Sequence, residues 1–329
     1  MAKDLKVGIT ASGILHASTE PEPDLETKFR MVKKSGVYDY IDKMPPPEDI
    51  DDYRRFSEQY DLPIRAGGWY YKLGRDEQKL ENNLQVGASL GSLAHNTQIS
   101  TYHADGHMVT DEEVADCYMW AYDVGEETGC KPTFEIHVNM WSEDFRRVSI
   151  VGDLVEAHGV PFRMTLDHSH VVFKIDNPEE QKVQNIRPAV ESGELILDPF
   201  ADGNVCDEWI QRGFVWYAHA RAAAPGGPKN IWAKNADGSF GRGIQYPFIE
   251  PQPGEWHSEW DAANLEPWKE VIRHLLRYHH DNDNSPLQQI STEFIPAADY
   301  GAGSKYSIFE HSVACATWIR DEWGKLGDG

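Results

Sequence analysis

The chain has few cysteines and lacks any long apolar run. Its four cysteines include no CxxC pair, so zinc-finger and thioredoxin-type functions find no support in the sequence. The N-terminus has no basic region followed by an apolar region, and no run of about 18 apolar residues occurs anywhere. We therefore expect reduced, structural thiols and a cytoplasmic protein.

Positive charge is also scarce. The chain carries 31 basic and 54 acidic side chains, which gives a formal net charge of −23 at pH 7. Such a chain repels nucleic-acid phosphates and anionic lipids, so the composition argues against nucleic-acid or membrane partners. The simplest interpretation of the charge is solubility, and the alternative is an acidic surface made for a basic partner.

Short apolar segments alternate with segments of helical periodicity along the whole chain. The predicted strands are residues 5–10, 37–42, 62–68, 93–99, 132–138, 161–167, 214–220 and 289–295. The predicted helices are residues 24–36, 47–61, 75–91, 110–129, 142–159, 265–280 and 307–323. A capping box at the start of the helix 110–129 and terminal glycines at 36 and 159 support these boundaries.

Eight strands alternating with helices predict an α/β fold, a single (β/α)8 barrel domain over residues 1–329. A doubly wound open sheet is the competing architecture, but no GxGxxG motif follows the first strand. Two long connections, residues 171–213 and 221–262, follow the sixth and seventh strands. On this count both emerge at the C-terminal face, where barrel active sites lie, so we expect long functional loops there.

Four ligand-type side chains fall at the ends of four consecutive predicted strands. They are Glu135, Asp167, His219 and Glu293. Three carboxylates that converge in a barrel mouth repel one another unless a cation lies between them. Oxygen and imidazole ligands of this kind suit one divalent ion, Mn²⁺ foremost, with Mg²⁺, Co²⁺ and Zn²⁺ as alternatives.

Other polar and aromatic residues lie close to these strand ends. His137 is two residues beyond Glu135, so it shares the face of Glu135 on a strand and is a second base candidate. His95 in the fourth strand is a candidate substrate contact. Trp69, after the third strand, is a candidate for stacking on a sugar ring. In the stretch MTLDHSHVVF, His168 points to the other face from Asp167 and is expected to be structural.

The segments FEIHVNMW, TLDHSHVV, WYAHAR and ISTEFIP resemble the xylose isomerase-like TIM barrel superfamily of sugar phosphate isomerase/epimerase type. The resemblance runs from the first strand to the last helix. It implies that Glu135, Asp167, His219 and Glu293 bind the metal. It further implies that His170 and Arg221 contact substrate oxygens, although the arginine of the relatives lies further beyond the histidine.

This resemblance implies a metal-dependent isomerase or epimerase of a keto-sugar or keto-glycoside. The cation would stabilise the enediolate formed by proton abstraction next to a carbonyl, with Glu135 and Glu293 as the acid/base pair and His137 as a further base. An apurinic endonuclease of this superfamily is disfavoured by the charge of −23.

Two alternatives remain open. The long loops, the Glu-x-His pair and the segment GRGIQYPFIEPQPGEWHSEW are also similar to the larger subunit of the C-glycoside deglycosidases. Those enzymes are lyases that cleave 3-oxo-glycosides with a divalent metal, and they work with a small β-rich partner subunit. We expect an oligomer in either case, and on this alternative one that includes such a partner subunit. The other alternative is a non-catalytic sugar-binding protein.

Overall fold

The computed structural model describes residues 3–327 and contains one closed barrel of eight parallel strands. The strands in chain order are β1 Lys6–Thr10, β2 Tyr40–Asp42, β3 Ile64–Tyr71, β4 Ala94–Ile99, β5 Lys131–Glu135, β6 Met164–Asp167, β7 Val215–Ala220, β8 Asn230–Lys234, β9 Phe240–Gly241 and β10 Gln289–Thr292. The order around the barrel is β1, β10, β7, β6, β5, β4, β3, β2, so β10 is the eighth barrel strand. Strands β8 and β9 form a separate antiparallel hairpin.

Helices surround the barrel and connect its strands. In the described residues they are α1 Leu25–Ser35, α2 Ile50–Tyr60, α3 Glu77–Ser89, α4 Asp111–Thr128, α5 Arg146–Ala157, α6 Ser169–Val172, α7 Pro178–Lys182, α8 Arg187–Ser192, α9 Val205–Gln211, α10 Glu266–Asp281 and α11 Ile308–Gly327. The capping box expected from the sequence is present, because Thr110 and Glu113 each bind the other's backbone N–H at the start of α4.

Helix α10 shows why these segments are helical and how they pack. Its apolar residues recur every three or four positions, which places them on one face of the helix. That face is buried against the barrel and its neighbouring helices, and its members are Trp268, Val271, Ile272, Leu275 and Leu276. Arg273 and Arg277, on the other face, form ion pairs with Glu270.

The barrel interior is filled by side chains from alternating positions along each strand. At its lower end, Tyr40, Ala66, Ala94 and Tyr217 form a small buried cluster of their own. The two tyrosine hydroxyls meet at Ser291 Oγ, which lies 2.9 Å from that of Tyr40 and 2.5 Å from that of Tyr217. The interior is therefore a packed core with paired polar atoms, and it supports the polar residues above it.

The barrel predicted from the sequence is confirmed, and the differences lie in its connections. The segment 171–213 was expected to be a long loop, but it contains the end of α6 and the helices α7, α8 and α9. The segment 221–262 contains the β8–β9 hairpin, and its remaining residues are irregular. Strand β5 ends at Glu135 rather than at residue 138, so His137 lies beyond the strand.

None of the helices within residues 3–327 combines the length and the apolar character that a membrane-spanning segment needs.

The cluster at the lower end of the barrel leaves no room for a side chain at Gly8, which leads to a prediction about stability. A Cβ atom at this position would overlap the ring of Tyr40, so Gly8→Ala must push that ring out of its place. We expect Gly8→Ala to lower the free energy of unfolding by about 1–3 kcal/mol, measured by urea denaturation. The control is Gly324→Ala in α11, where an added Cβ meets open space; it should stabilise the protein by about 0.5–1 kcal/mol. Equal stability of the two variants would contradict the packing of Tyr40 against β1.

Candidate metal centre

Four side chains from neighbouring barrel strands converge at the carboxyl ends of these strands. Glu135 and Asp167 are the last residues of β5 and β6, His219 lies near the end of β7, and Glu293 directly follows β10. One ligand atom from each of the four lies within 4.8 Å of the ligand atoms of the other three. The convergence follows from parallel pairing, because Asp167 is in register with His219 and His219 with Ser291.

His219 lies between carboxylates on both sides of its ring. Its Nδ1 atom is 2.9 Å from Glu135 Oε1 and 3.1 Å from Glu293 Oε2, and its Nε2 atom is 3.2 Å from Asp42 Oδ2. Burial alone would lower the pKa of His219, but Glu293, Asp42 and Glu135 together raise it well above its ordinary value. Positive charge is therefore strongly favoured at the Nδ1 side of this ring.

Asp42, the last residue of β2, is a member of this site that the sequence analysis missed. Its Oδ2 atom faces His219 Nε2 and also accepts a hydrogen bond from the Tyr217 hydroxyl. The same strand-end reasoning that found the other four residues would have found Asp42.

Arg221 neutralises part of the charge of this group. Its guanidinium is buried, lies 2.7 Å from Asp167 Oδ2, and also pairs with the carboxylate of Glu293. Burial would raise the pKa of Asp167, but Arg221 and then His170 hold it well below its usual range. The Arg221 side chain also lies over the Tyr300 ring at 4.3 Å. Arg221 thus contacts two of the predicted metal ligands.

Strand β4 supplies two amides to the same site. Asn96 Nδ2 donates to Glu135 Oε2 at 2.8 Å, and Gln98 Nε2 donates to the same oxygen at 2.5 Å. These two side chains point into the barrel, and neither was predicted from the sequence to belong to the site. They fix one oxygen of Glu135 while its other oxygen faces His219.

The prediction that His95 contacts substrate is wrong. Side chains alternate along β4, so the inward positions of Asn96 and Gln98 direct His95 to the outer face, between the barrel and α3. There it is fully buried, and its Nε2 atom is 2.6 Å from the Tyr71 hydroxyl, which also accepts from Asn83 of α3. The composition around His95 correctly predicted a strand. Composition does not predict which of the two faces of that strand points into the barrel, and the structure shows that it is the face of Asn96 and Gln98.

His137 and His170 lie together beside the four predicted ligands. Their ring centroids are 4.3 Å apart, and His170 Nε2 is 3.1 Å from Asp167 Oδ2. Nδ1 of His137 donates to the Val138 carbonyl at 2.6 Å, and its Nε2 atom is 3.3 Å from the Tyr300 hydroxyl. Burial and the neighbouring His170 lower the pKa of His137 to about 4, so its ring is neutral at pH 7.

His168 occupies a different environment from its neighbours in the same stretch. Its ring stacks on Trp268 of α10 at 5.0 Å, and its Nε2 atom is 3.2 Å from the Trp268 carbonyl oxygen. This position on the outer side of the barrel corresponds to the structural role expected from the sequence.

A cavity of about 230 Å³ opens above these residues at the barrel mouth. His219, Glu293 and Asp42 form part of its wall, together with Asn96 and Gln98. The further lining residues are Thr10, Ala11, Ser12, Lys43, Met44, Gly68, Trp69 and Tyr70. Trp69 stacks on Tyr70 at 5.6 Å, and its side of the cavity is open to solvent, with 39% of Trp69 exposed.

The predicted site residues therefore fall into groups. The structure brings Glu135, Asp167, His219 and Glu293 together, and it places Trp69 on the cavity rim. His170 and Arg221 adjoin the four ligands on a buried side, and the half-buried His137 lies next to His170, so the predicted contacts of His170 and Arg221 with substrate stay predictions. His95 lies outside the site.

Neither a protein-family model nor a curated protein matches the chain, whereas solved structures match it over nearly its whole length. A sugar phosphate isomerase/epimerase from Parabacteroides distasonis is 9% identical, with a TM-score of 0.53, over 99% of this chain and 96% of that one. The IOLI protein with a bound zinc atom is 13% identical, with a TM-score of 0.54, over 98% of this chain and 99% of that one.

A third structure, a xylose isomerase-like TIM barrel protein from Mycobacterium smegmatis in complex with magnesium, is 11% identical, with a TM-score of 0.51. The match covers 98% of this chain and 96% of that one. This chain has the (β/α)8 barrel fold of these structures. At these identities the likeness establishes the fold of the barrel, whereas its chemistry depends on the side chains at its mouth.

The outward position of His95 leads to a prediction about acid stability. Burial lowers the pKa of His95 from 6.5 to about 4, so the unfolded chain binds a proton more readily than the folded chain between these values. Stability from the neutral ring is complete above pH 6.5 and falls as the pH drops towards 4. We expect His95→Gln to remove up to about 3 kcal/mol of this pH dependence, measured by urea denaturation across the range.

The affinity for divalent cations is the control measurement for this variant. It should be unchanged in His95→Gln, because His95 faces away from the predicted ligands. A strong loss of cation affinity with an unchanged pH dependence of stability would show that His95 belongs to the site after all.

Proposed function

We propose that this protein is a divalent-metal-dependent isomerase or epimerase that abstracts a proton next to the carbonyl of a keto-sugar or keto-glycoside. The observation that supports this proposal is the convergence of Glu135, Asp167, His219 and Glu293 beside a polar cavity of monosaccharide scale. A protein that only binds sugar has no need of three converging carboxylates. The fold adds support, since one structure that shares it is named a sugar phosphate isomerase/epimerase.

The four residues fit a divalent cation in chemistry and in charge. Carboxylate oxygens and one imidazole nitrogen suit Mn²⁺, with Mg²⁺, Co²⁺ and Zn²⁺ as alternatives, and two matched structures hold zinc and magnesium. With Asp42 the site carries four formal negative charges, and Arg221 offsets one of them. When bound, the cation would polarise the substrate carbonyl and stabilise negative charge on the adjacent oxygen.

The surrounding residues hold the four ligands in place. Asp42 accepts from His219 Nε2, so Nδ1, which faces Glu135 and Glu293, is the ring nitrogen that would bind a cation in place of its proton. Ser169 donates to Asp167 Oδ1 from both its backbone N–H and its hydroxyl, at 3.1 and 2.6 Å. Such outer partners fix the orientation of metal ligands and tune their basicity.

Two side chains are placed to move the proton. Glu293 is the predicted ligand with a carboxylate partly open to the cavity, so it can face a sugar from one side. His137, beside the four predicted ligands, has a protonated Nδ1 and an unprotonated Nε2, so Nε2 can accept a proton. We assign these two residues as an acid/base pair, with Glu135 as a ligand whose second oxygen is held by Asn96 and Gln98.

The cavity wall supplies recognition of a sugar. The hydroxyls of Thr10 and Ser12 and the amides of Asn96 and Gln98 line it and can bond to sugar hydroxyls. Trp69 and Tyr70 present stacked rings at its open side, which suits the apolar face of a sugar ring. We therefore propose that the carbonyl end of the substrate lies at Glu293 and that the rest extends towards Trp69.

The role of Asp42 yields a prediction about metal affinity. Asp42→Asn keeps the size of the side chain and removes the charge that orients His219. We expect the dissociation constant for Mn²⁺ to rise about 10–100-fold, measured by isothermal titration calorimetry. Asp51→Asn, on the exposed side of α2, is the matched control and should bind Mn²⁺ like the wild type. Unchanged Mn²⁺ affinity in Asp42→Asn would remove Asp42 from the metal centre.

Proton abstraction is tested by hydrogen exchange with solvent. The Mn²⁺-loaded protein is incubated in D₂O with free ketohexoses and with a 3-oxo-glucoside, and both are followed by NMR. We expect deuterium next to the carbonyl together with a new epimer, and we expect loss of both after treatment with a chelator. His137→Gln should bind Mn²⁺ normally and lose most of the exchange. The absence of exchange from every substrate with the loaded wild type would contradict the proposal.

Elimination from a keto-glycoside is the second candidate function. The observation that favours it is the open side of the cavity, where Trp69 and Tyr70 are 39% and 53% exposed and could cover an aglycone. The same proton abstraction would then expel a leaving group from the carbon beyond. Release of the aglycone from the 3-oxo-glucoside in the NMR experiment would favour this lyase. A requirement for an added small β-rich subunit would further favour a C-glycoside deglycosidase.

A further inference from the structure

A tight hairpin turn after β4 brings two histidines together. Residues 102–108 form this turn, in which the His103 N–H donates to the His107 carbonyl oxygen at 2.9 Å and Tyr102 pairs with Met108. The two imidazole rings lie on the same side of the hairpin, stacked at a centroid distance of 4.7 Å. Asp105 lies at the tip of the turn. None of these residues takes part in the metal centre at the barrel mouth.

Three ligand atoms converge at this turn. Asp105 Oδ1 lies 3.1 Å from His103 Nδ1 and 2.5 Å from His107 Nδ1, and all three atoms lie within 4.8 Å of one another. Bonds of about 2 Å from nitrogen and oxygen ligands to zinc place neighbouring ligand atoms roughly 3 Å apart. The turn therefore holds two nitrogens and one oxygen near the spacing of a zinc site.

Groups outside the set fix the orientation of both imidazoles. Nε2 of His107 lies 2.9 and 3.0 Å from the two carboxylate oxygens of Glu113, which is anchored in the capping box of α4. A carboxylate at one ring nitrogen directs the lone pair of the other nitrogen towards a metal. Gly74 lies against the Nε2 and Cε1 atoms of the His103 ring, where any Cβ would overlap them, and the Nδ1 atom of that ring faces Asp105.

The electrostatics of the turn also favour a cation. With Nε2 of His107 donating to Glu113, its Nδ1 lone pair faces Asp105 Oδ1, and two acceptors at 2.5 Å need a proton or a metal between them. A neighbouring cavity of about 300 Å³ is lined by Glu77, Glu113 and Asp116, so the local field is negative. The solvent-facing position of Asp105 leaves room for water as a further ligand.

We propose that His103, Asp105 and His107 bind a second divalent cation, of the zinc class. Two imidazoles select zinc and its transition-metal neighbours over Mg²⁺ and Ca²⁺, which prefer oxygen ligands alone. The base of the same hairpin contacts the segment that follows His137, because Ser100 pairs with Met140 and Thr101 donates to the Asn139 carbonyl. The cation thus stabilises a turn that contacts the loop carrying His137.

The test counts zinc ions in the full-length protein. The wild type and a His103→Ala/His107→Ala variant are stripped with a chelator and titrated with ZnCl₂ by calorimetry. The variant should bind one equivalent fewer than the wild type, whatever the barrel mouth binds. The matched control is His158→Ala/His280→Ala, which removes two exposed histidines and should keep the wild-type count. Circular dichroism establishes that both variants fold.

A second measurement locates the ion. Zinc should shift the NMR signals of the His103 and His107 rings, and Asp105→Asn should weaken this binding at least tenfold without altering the turn. An equal zinc count in the wild type and the His103→Ala/His107→Ala variant would overturn the proposal. So would unshifted His103 and His107 ring signals at zinc saturation.

Discussion

Repulsion between the carboxylates that converge at the barrel mouth is the constraint on which the rest of this structure depends. Glu135, Asp167 and Glu293 approach one another because parallel pairing brings the ends of their strands to one rim. The Arg221 guanidinium and the His219 ring offset this repulsion. Burial lowers the pKa of His219, but the carboxylates around it raise that pKa by more. Glu135, Asp167, His219 and Glu293 would hold a divalent cation, which would supply the positive charge that the His219 proton otherwise supplies. The other features of the site are built around this group. The cavity lies above it, the amides of β4 hold Glu135, and Asp42 faces His219.

The lower barrel makes that arrangement rigid. Tyr40 and Tyr217 fill the interior below the metal centre, and their hydroxyls share Ser291. The Tyr217 hydroxyl also reaches Asp42, so the packed core and the carboxylate behind His219 are directly linked. Because buried polar groups are costly unless paired, each of these contacts restricts where its neighbours can lie. The packed core itself therefore supports the Asp42 and His219 side of the site.

Much of this could be predicted from the sequence, because strand ends in a parallel barrel have a known common location. The rule placed Glu135, Asp167, His219 and Glu293 together, and it would have placed Asp42 with them. It failed for His95, because one residue of register decides whether a strand side chain points inward or towards a helix. It could not foresee Tyr300, which belongs to an irregular segment that only the folded chain brings beside His137.

The positive charge of Arg221 is part of the polypeptide, unlike that of a bound ion, and this has a consequence for how the site exchanges cations. This positive charge cannot diffuse away, and it joins the end of β6 to the residue after β10 whether or not an ion is present. The barrel mouth should then keep its shape during an exchange of ions. Occupancy would follow the concentrations and affinities of the available metals, rather than a refolding step at each exchange.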